Sequence, residues 1–580
     1  MQARASAGTM EASAHAAASL WRRHTMAQAT HEVFNQYAEL ADYDLLATDA
    51  ALQEALQRAG AAHALPALGD YARRLGSAGT HALAELANRH TPILHRFDSR
   101  GRRADRVEFH PAWDALMALY RGEGLVSMPF DSDRPGRWSA WAAGFYLHGQ
   151  VEQGTLCPAT MTQAAIPLLR KEPALWARLG DRLHSRTHDP REAPAHEKAG
   201  IWLGMGMTEK QGGSDVRANT TVATPLGAGG RGGEYRLRGH KWFFSTPQSD
   251  AHLVVARTGE GGPFACFYVP RRLQDGTLNG VHVQRLKDKV GNRSNASAEV
   301  EFHDAWGVLM GEEGRGIPTI IEMATYTRLN CVAGSAAILR QATVQAIAYA
   351  RRRHAFGKAL AEQPLMRTVL ADLALESEAA LALLMRLAEA FERDADGTAT
   401  PADRAWKRVM TPAAKFWVCK RGVEMAGEAM EVFGGNGYVQ EGVMARLFLE
   451  APVNSIWEGS GNVMCLDVLR ALARDTEAAH ALLEEFAPAA QGEPRIGATL
   501  RELQALLALP PQELEGMGRL AAQRLVLAAQ ACLLRRHAPA AVADAFIATR
   551  LGDAGGGRVA GAIDARAIAV DAILQRACPA

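Results

Sequence analysis

The stretch Met205-Gly-Met-Thr-Glu-Lys-Gln-Gly-Gly-Ser-Asp215 is the one around which the rest of the chain is organised. It has no apolar period of either kind, so neither a helix nor a strand is predicted. The paired glycines Gly212 and Gly213 let the backbone turn and approach a ligand closely. Successive N–H groups in such a turn form an anion-binding concavity. Alone, the stretch indicates either a phosphate-binding loop or an ordinary surface turn, where such residues usually sit.

The composition excludes several classes of protein. With 580 residues, 48% apolar and 22% charged, the chain is an ordinary globular sequence too long for one hydrophobic core. A formal net charge of +1 gives no global attraction to nucleic acid or membranes, so such a partner needs a local patch. The seven cysteines lack zinc-ligand spacing, so no metal is expected and a cytoplasmic location fits. No apolar run is long enough to predict a membrane span.

Upstream of the opening stretch, the sequence is helical in character. Residues 1–28 are predicted to be a disordered tail, with translation starting at Met1 or Met26. Over residues 29–199, leucines recur at helical intervals and predict an N-terminal helical domain. Pro111 suits the first turn of one of its helices.

Between residues 200 and 310 the pattern changes to short alternating runs separated by Gly, Asn and Asp turns. A period of two with such turns predicts antiparallel strands, and we expect a barrel-like β-sheet domain here. The glycine-rich segment 227–233 lacks the Lys-Ser/Thr of a P-loop, so it predicts a hairpin loop rather than a phosphate site.

Long alanine- and leucine-rich helices return after the β-domain. Residues 311–473 predict a C-terminal helical bundle, and residues 474–580 predict a helical appendix with a loop at 487–494. Separate α, β and α blocks favour the α+β class over a doubly wound sheet. No Gly-x-Gly-x-x-Gly follows a strand, so a Rossmann nucleotide site is not supported.

Five motifs lie in order along the chain, and each is weak alone. They are Thr208-Glu209 with Gly213-Ser214-Asp215, Gly239-His-Lys-Trp-Phe-Phe-Ser245, Arg353-His-Ala-Phe-Gly357 with Gln363, Phe433-Gly-Gly-Asn-Gly-Tyr438, and Ile456-Trp-Glu-Gly-Ser-Gly-Asn462. Together they resemble the acyl-CoA dehydrogenase family of flavoproteins, over roughly residues 30–470. The sequences of residues 206–215, 287–296 and 454–469, together with the helical appendix after the bundle, make the chain more narrowly similar to the AidB branch, which serves the bacterial adaptive response to DNA alkylation.

The resemblance implies FAD, held between the β-domain and the helical bundle of a homotetramer arranged as a dimer of dimers. Thr208 and Ser214 would contact the isoalloxazine and the pyrophosphate. Phe243 would lie against the flavin, and Ser245 would hydrogen-bond near its N5. The implied cofactor contacts are Met205, Met207, Thr208, Gly213, Ser214, Phe243, Phe244, Ser245, Arg353, Gln363, Gly434, Gly435, Gly437, Ile456, Trp457, Gly459, Ser460, Gly461 and Asn462. Of these, Arg353, Gln363 and the glycines at 434–437 match positions that reach the FAD of a neighbouring subunit.

Simpler interpretations stand beside three of these roles. Arg353 follows two further arginines and also fits a solvated cluster. Gly434 and Gly435 also fit a helix C-cap, and Phe243 also fits ordinary core packing. In favour of the cofactor, a pyrophosphate is matched by backbone amides, a hydroxyl and an arginine fork.

The resemblance also implies acyl-CoA dehydrogenation, in which a carboxylate takes the α-proton and the flavin receives the β-hydride. Glu458 stands in the usual base position of the family. The alternative base position precedes Arg328 and holds Thr327 here, so Glu458 is the single candidate. Thr325 replaces an acid that helps many relatives to hold the pantetheine, so any acyl-CoA is expected to bind weakly.

The AidB-like resemblance implies that the appendix binds duplex DNA through phosphates. Residues 471–580 carry 11 Arg, no Lys and 12 acidic residues, whereas the part from Gly518 onward carries 8 Arg and 4 acidic residues. The candidate DNA contacts are Arg519, Arg524, Arg535 and Arg536. They do not form one stripe along the predicted helix, so arginines that snorkel on a packing helix are the equal alternative.

The leading hypothesis is an FAD flavoprotein that binds double-stranded DNA and protects it against alkylation, with weak or vestigial acyl-CoA dehydrogenase activity. The alternative is a working acyl-CoA dehydrogenase, with α-proton abstraction by Glu458 and a purely structural appendix. A third hypothesis is a flavin-stabilised scaffold without enzymatic activity.

Overall fold

The N-terminal part is a set of helices around one buried helix. The computed structural model describes residues 30–553, 556–557 and 559–579, so the predicted tail and the choice of start codon lie outside the described residues. The helices are α1 Ala50–Arg58, α2 Leu65–Gly76, α3 Ala78–Arg89, α4 Pro111–Gly122, α5 Met128–Asp131, α6 Arg137–Val151, α7 Leu156–Leu169 and α8 Pro173–His184. Helix α6 is buried on every side, as expected of a helix without a polar face. Helix α4 begins at Pro111, as predicted.

One segment of this part is not helical. Strands β1 Ile93–Phe97 and β2 Arg103–Glu108 form an antiparallel hairpin, so the prediction of helix throughout residues 29–199 is wrong here. Arg103 donates to the Val283 carbonyl of the β-domain at 3.1 Å. The hairpin is thus stabilised by a contact distant in sequence, which no local pattern reports.

The β-domain is a closed barrel with two added strands. Its strands are β3 Leu203–Gly206, β4 Val222–Pro225, β5 Glu234–Ser245, β6 Ala251–Thr258, β7 Phe264–Pro270, β8 Val281–Leu286 and β9 Ser297–Met310. The order β6-β4-β5-β9-β7 closes because β7 also pairs with β6, while β3 extends β6 and β8 extends β9. Most pairs are antiparallel, as predicted, but β3 and β4 both run parallel to β6. The glycine-rich segment 227–233 joins the antiparallel pair β4–β5, as the hairpin prediction has it.

The C-terminal bundle is built on three long helices. Its helices are α9 Gly316–Arg352, α10 Pro364–Ala395, α11 Pro401–Ala405, a π-helix Trp406–Met410 that continues into α12 Thr411–Val432, α13 Gly435–Tyr438, α14 Val443–Asn454 and α15 Gly461–Arg474. A short hairpin of β10 His354–Ala355 and β11 Lys358–Ala359 joins α9 to α10. Helix α9 packs on α6, α10 and α12, so the N-terminal helices and the bundle share one apolar core.

The appendix belongs to that same core. Its helices are α16 Thr476–Gly492, α17 Pro494–Leu507, α18 Pro511–Gly516, α19 Gly518–His537, α20 Ala540–Arg550 and α21 Val570–Ala577. The loop predicted at 487–494 is wrong, because α16 continues through Pro488 to Gly492. Phe486 packs edge-on against Trp406 with ring centres 6.3 Å apart, and this burial outweighs the hydrogen bond that a proline removes.

A buried ion network fastens the appendix to the bundle. The guanidinium of Arg550 pairs with Asp372 and, at 2.8 Å, with Glu376, and all three side chains are almost fully buried. Glu376 also receives Arg421 at 3.2 Å. Because breaking a buried pair leaves an uncompensated charge, these contacts fix where the appendix sits.

Candidate cofactor and active site

The loop at residues 205–215 is organised by a buried ion pair. The side chains of Glu209 and Lys241 are fully buried, with Glu209 Oε1 2.7 Å from Lys241 Nζ. Glu209 Oε2 accepts from the Thr220 N–H at 2.7 Å, which ties the end of the loop to its start. Burial alone would raise the pKa of Glu209, but Lys241 and the backbone donor outweigh it and lower that pKa to about 2. Burial lowers the pKa of Lys241 to about 8, so both groups are charged between these values.

Beyond the ion pair, the loop turns outward at its glycines. Gly213 packs beside Thr208, where a Cβ would lie 3.2 Å from Thr208 Cγ2. Gly213 and Ser214 are exposed, and their N–H groups meet no acceptor within the part of the chain that the structure describes. The loop therefore offers free amides and the hydroxyls of Thr208 and Ser214, as an anion-binding turn does.

The end of β5 presents one aromatic ring outward and the next inward. Phe243 is 50% exposed, and Lys287 Nζ lies 4.6 Å from its ring centre. Phe244 is buried and stacks on His252 at 3.8 Å, so only its backbone is available to a cofactor. The Ser245 hydroxyl lies 3.3 Å from that of Ser297 on β9.

Glu458 lies in a strained turn between α14 and α15. Its φ is +59°, in the left-handed region, where a residue with a side chain is destabilised by about 1 kcal/mol or more. Arg328 Nε donates to the Glu458 carbonyl at 3.1 Å. Lys415 Nζ donates to the next carbonyl, that of Gly459, at 2.7 Å. The two cations hold the turn against the bundle.

The Glu458 carboxylate is itself fixed. Its Oε2 accepts from Thr327 Oγ1 at 2.5 Å. Burial raises the pKa of Glu458. The hydrogen bond from Thr327 and the positive charge of Lys415 both oppose that rise. A carboxylate whose pKa is raised suits a general base that works near neutral pH. Burial also raises the pKa of the Cys157 thiol, while the charge of Lys289 opposes that rise and the charge of Glu458 adds to it.

The segment Ile456–Asn462 combines exposed and anchored residues. Ile456 is 64% exposed, whereas Trp457 packs on the same apolar cluster as Met205 and Met207. Trp457 Nε1 also donates to Asn454 Oδ1 at 3.1 Å. Helix α15 begins directly after Ser460, so Gly461 and Asn462 form its first turn and carry its free amides.

Arg353, Gln363 and the glycines at 434–437 meet at another end of the bundle. Gln363 holds the hairpin after α9 by donating to the Ala355 carbonyl at 2.9 Å. Gly434 follows the end of α12 with a φ of +60°, so the helix-terminating role considered for it is present. Gly437 is buried, and a Cβ there would lie 2.2 Å from the Met430 carbonyl oxygen, so only glycine fits.

The N-terminal segment joins these motifs. Arg353 donates to the Asn35 carbonyl, and the Asn35 side chain accepts from the His354 N–H at 2.9 Å. Asn436 Nδ2 donates to Gln36 Oε1 at 2.9 Å. Apolar side chains remain uncovered around them, with exposed fractions of 98% for Phe356, 84% for Leu365 and 78% for Tyr438. Exposed apolar residues of this size are typical of an interface.

Three of the four candidate DNA arginines are engaged inside the appendix. The pairs are Arg524–Glu502 at 3.1 Å, Arg535–Asp544 at 2.6 Å and Arg536–Glu485 at 3.9 Å. Arg519 differs, since it is exposed and no carboxylate pairs with it among the described residues. Its guanidinium lies 5.6 Å from the ring centre of Phe416 in the bundle. The four arginines therefore do not form one surface of free positive charge.

Other features lie apart from the predicted site. A cavity of about 250 Å³ opens between the β1–β2 hairpin, α4 and the β6–β7 edge, and no predicted cofactor residue lines it. Among residues 30–553, 556–557 and 559–579, no cluster of His, Cys, Asp or Glu has the geometry of a metal site. Over the same residues, no helix combines the length and apolar character needed to cross a membrane.

The residues present fit the flavin dinucleotide that the resemblance implies. A flavin needs an aromatic face and a few ring-edge donors, and its pyrophosphate needs amides, hydroxyls or arginine. Phe243 supplies a half-exposed ring, and Ser245 supplies a hydroxyl two residues later. Gly213 and Ser214 supply exposed amides.

Several residues with a structural role in the site are missing from the sequence-based prediction. Glu209 and Lys241 lie inside two of the motifs, so their position signals importance although their pairing has no local signature. In that prediction Thr327 shows only that the alternative base position holds no carboxylate. In the structure its hydroxyl donates to the Glu458 carboxylate. Lys415 lies in none of the motifs, and nothing in its surrounding sequence points to the site.

Family models match most of the chain. Residues 35–190 match the adaptive response protein AidB N-terminal domain. Residues 204–305 match the acyl-CoA dehydrogenase middle domain, and residues 314–473 match the acyl-CoA dehydrogenase C-terminal domain.

Two relatives share long stretches of sequence. AidB of Escherichia coli (strain K12), itself named only provisionally as an acyl-CoA dehydrogenase, is 47% identical over 91% of this chain and 96% of its own length. Acyl-CoA dehydrogenase family member 11 of Caenorhabditis elegans is 31% identical over 70% of this chain and 66% of its own length.

Solved structures share the fold. Bd2924 in its apo form superimposes with a TM-score of 0.80 at 28% identity, over 87% of this chain and all of that one. Caenorhabditis elegans ACDH-11 in complex with C11-CoA has a TM-score of 0.80 at 24% identity, and the match covers 96% of this chain and 94% of that one. An acyl-CoA dehydrogenase from Bacillus anthracis, solved with FAD, has a TM-score of 0.60 at 20% identity, and the match covers 76% of this chain and 78% of that one. Homologues of this fold therefore bind FAD.

Proposed function

The chain belongs to the acyl-CoA dehydrogenase family, and from this premise we propose that it is an FAD flavoprotein whose general base is Glu458. The observation that carries the proposal is the Glu458 carboxylate, fixed by Thr327 at 2.5 Å with a pKa raised by burial. We propose domains at residues 29–199, 200–310, 311–473 and 474–580, following the changes of secondary structure.

FAD, when bound, accepts the hydride that leaves the substrate. In this proposal the amides of Gly213 and Ser214 bind its pyrophosphate, and Phe243 covers the ring. Ser245 donates to the ring edge, and the turn from Ile456 to Asn462 closes the other side of the site. Support comes from the exposed amides and the half-exposed Phe243 ring. Of the other predicted contacts, Met205, Met207 and Trp457 pack together against one apolar cluster.

Glu458 takes the α-proton of the substrate. A thioester α-carbon is a weak acid, so the base must be oriented before the substrate arrives. Arg328 and Lys415 hold the backbone of the turn, and Thr327 holds the side chain. The proposed substrate is an acyl-CoA, bound weakly because Thr325 stands where relatives carry an acid. The Thr325 hydroxyl donates to the Ile321 carbonyl at 3.2 Å.

Thr327→Val is expected to shift the pH profile of flavin reduction by acyl-CoA. The Thr327 donor stabilises the charged form of Glu458, so its loss raises the pKa of the base further. A base must be deprotonated to act, so the rate at pH 6 falls by about tenfold while the rate at pH 9 changes little. Stopped-flow rates across pH measure this. Thr319→Val, which removes a hydroxyl bonded to a backbone carbonyl on the same helix, should leave the profile unchanged.

We also propose a homotetramer in which Arg353, Gln363 and the glycines at 434–437 reach the FAD of a neighbouring subunit. Support comes from the exposed Phe356 and Tyr438 beside these residues. Light scattering of the purified yellow protein should give the tetramer mass with one FAD per chain. Phe356→Asp should dissociate the assembly and release most of the FAD, because a charge is desolvated at the interface. Leu226→Asp, on an exposed barrel loop, should do neither.

A second proposal concerns DNA. We propose that the protein, in the cytoplasm, binds double-stranded DNA through phosphates and protects it against alkylation. The specific observation in favour is the match of residues 35–190 to the AidB adaptive response domain. The similarity to Escherichia coli AidB also covers 91% of the chain. Seven buried free thiols fit a reducing compartment.

Filter binding of a duplex at two salt concentrations tests the DNA proposal. Affinity should fall steeply with salt, and Arg519→Ala should weaken binding for all sequences and lower the salt slope by about 1. Arg566→Ala, whose guanidinium is already paired with Asp564 at 2.8 Å, is the matched control. Removing the whole appendix is unsuitable, because its helices share the bundle core. Binding that ignores salt would contradict the proposal.

A further inference from the structure

We propose that Lys289 is a positioning residue that directs the hydroxyl proton of Ser245 toward the cofactor, acting through Ser297. The inference rests on the proposed FAD site and deepens it, since it states what makes Ser245 a donor there.

The three side chains form a chain of hydrogen bonds. Lys289 lies in the loop between β8 and β9, and its Nζ donates to the Asn295 carbonyl at 2.5 Å and to Ser297 Oγ at 3.1 Å. Ser297 pairs with Ser245 in the register of β5 and β9. Their hydroxyl oxygens are 3.3 Å apart. Ser297 is 5% exposed, so its hydroxyl has little access to water.

The direction of this chain follows from the chemistry of its first member. An ammonium group only donates, so Ser297 Oγ must accept from Lys289. The Ser297 hydrogen then has one partner among the described residues, the Ser245 oxygen. A buried hydroxyl hydrogen left without an acceptor is costly, which favours donation from Ser297 to Ser245. Ser245 consequently accepts from within the protein, and its own hydrogen is left for an acceptor on the ligand.

The charge of Lys289 has no carboxylate partner at contact distance within the described part of the chain. The neighbouring Lys287, by contrast, pairs with Glu299 at 2.7 Å. Burial lowers the pKa of Lys289 to about 8, while Cys157 and Glu450 favour its charged form and Arg293 opposes it. A desolvated cation without a counter-ion is destabilising unless something compensates it. Negative charge that develops on the ligand would provide that compensation.

This arrangement predicts an effect on how readily the bound FAD is reduced. A donor and a positive charge at one edge stabilise the ring more after it gains electrons than before. Without Lys289 the Ser297 hydroxyl is free to rotate, and Ser245 is no longer held as a donor. Reduction should then be less favourable while binding of FAD is retained, because the pyrophosphate contacts lie elsewhere.

The test measures FAD content first and then the ratio of reduced to oxidised flavin in equilibrium with a reference dye. Lys289→Met and Ser297→Ala should each lower that ratio by about tenfold at a fixed potential, which equals about 30 mV for a two-electron couple. Lys289→Arg, a cation that also only donates, should recover most of the loss. Lys171→Met, which removes an exposed lysine paired with Glu322, should have no effect.

The double variant Lys289→Met/Ser297→Ala separates a relay from a simple charge effect. A relay predicts that the double variant is no worse than either single variant, because both break the same chain. Additive losses would overturn the relay, as would a Lys289→Met ratio within twofold of the wild type at full FAD content. If Lys289→Met fails to fold, an unchanged ratio in Ser297→Ala overturns it equally. A wild-type protein without FAD would overturn both this inference and the proposed function.

Discussion

Glu458→Gln is expected to slow the anaerobic reduction of bound flavin by acyl-CoA by at least about a thousandfold, the range of a lost general base. Glutamine keeps the shape of the side chain and still accepts from Thr327, so the turn should not move. It cannot take a proton, so the α-carbon is not deprotonated. FAD content should stay at the wild-type level, since the change leaves the Arg328 contact to the backbone carbonyl intact. Stopped-flow absorbance of the flavin band measures the rate.

Glu450 provides the stringent comparison for this experiment. It is a second buried carboxylate, and burial raises its pKa to about 7. Both of its oxygens are taken by Asn292, at 2.6 Å from the backbone N–H and 2.8 Å from the side-chain amide. The Glu450 carboxylate therefore has a structural role, because both of its oxygens hold Asn292. A rate that survives Glu458→Gln but collapses in Glu450→Gln would show that the base is assigned wrongly. A wild-type flavin that no acyl-CoA reduces would remove the dehydrogenase half of the proposal.

Glu209→Ala is expected to destabilise the protein by about 3–5 kcal/mol, the magnitude found when one partner of a buried ion pair is removed. The change leaves Lys241 without its partner at a position with no exposed side-chain surface. It also releases the Thr220 end of the loop at 205–215, so FAD should be lost with stability. Urea titration of the holoprotein, followed by flavin fluorescence and circular dichroism, measures both effects.

The double change Glu209→Met/Lys241→Met distinguishes charge from packing. With both charges replaced by apolar groups of similar volume, the part of the loss that comes from the unpaired Lys241 should be recovered, while the part that comes from the lost acceptor of the Thr220 N–H should remain. Glu85→Ala, at an exposed helical pair with Arg89, should cost about 0.5 kcal/mol or less. A Glu209→Ala protein as stable as the wild type would contradict this account of the loop.

The same pair predicts an acid limb of stability. The pKa of Glu209 is lowered in the folded state to about 2, below its unfolded value near 4.3. Such a group stabilises the fold fully above the unfolded value and loses that contribution as pH falls toward the folded value. Stability should therefore decline between about pH 4.5 and pH 2, and the decline should be smaller in the double methionine variant.

The arrangement of the fold was largely predictable, because it depends on local periodicity. The alternation in residues 200–310 produced strands, and the leucine-rich stretches produced helices. The features that the sequence analysis missed depend instead on contacts between segments that are distant in sequence. The β1–β2 hairpin depends on a contact to Val283, and the continuation of α16 through Pro488 depends on packing against Trp406. Neither partner is near in sequence, so no window of residues contains the information.

For the candidate site, the order of residues along the chain is enough to show which residue types lie in the motifs and that the alternative base position, at Thr327, holds no carboxylate. Which side chains come into contact depends on the three-dimensional fold. It brought Thr327 to Glu458 across 131 positions, and it paired three appendix arginines with acidic neighbours. It also showed that the loop at 205–215 depends on Glu209 and Lys241, 32 positions apart. The physical reason is that hydrogen bonds and ion pairs depend on distances in space, whereas sequence patterns report the neighbours along one strand or helix.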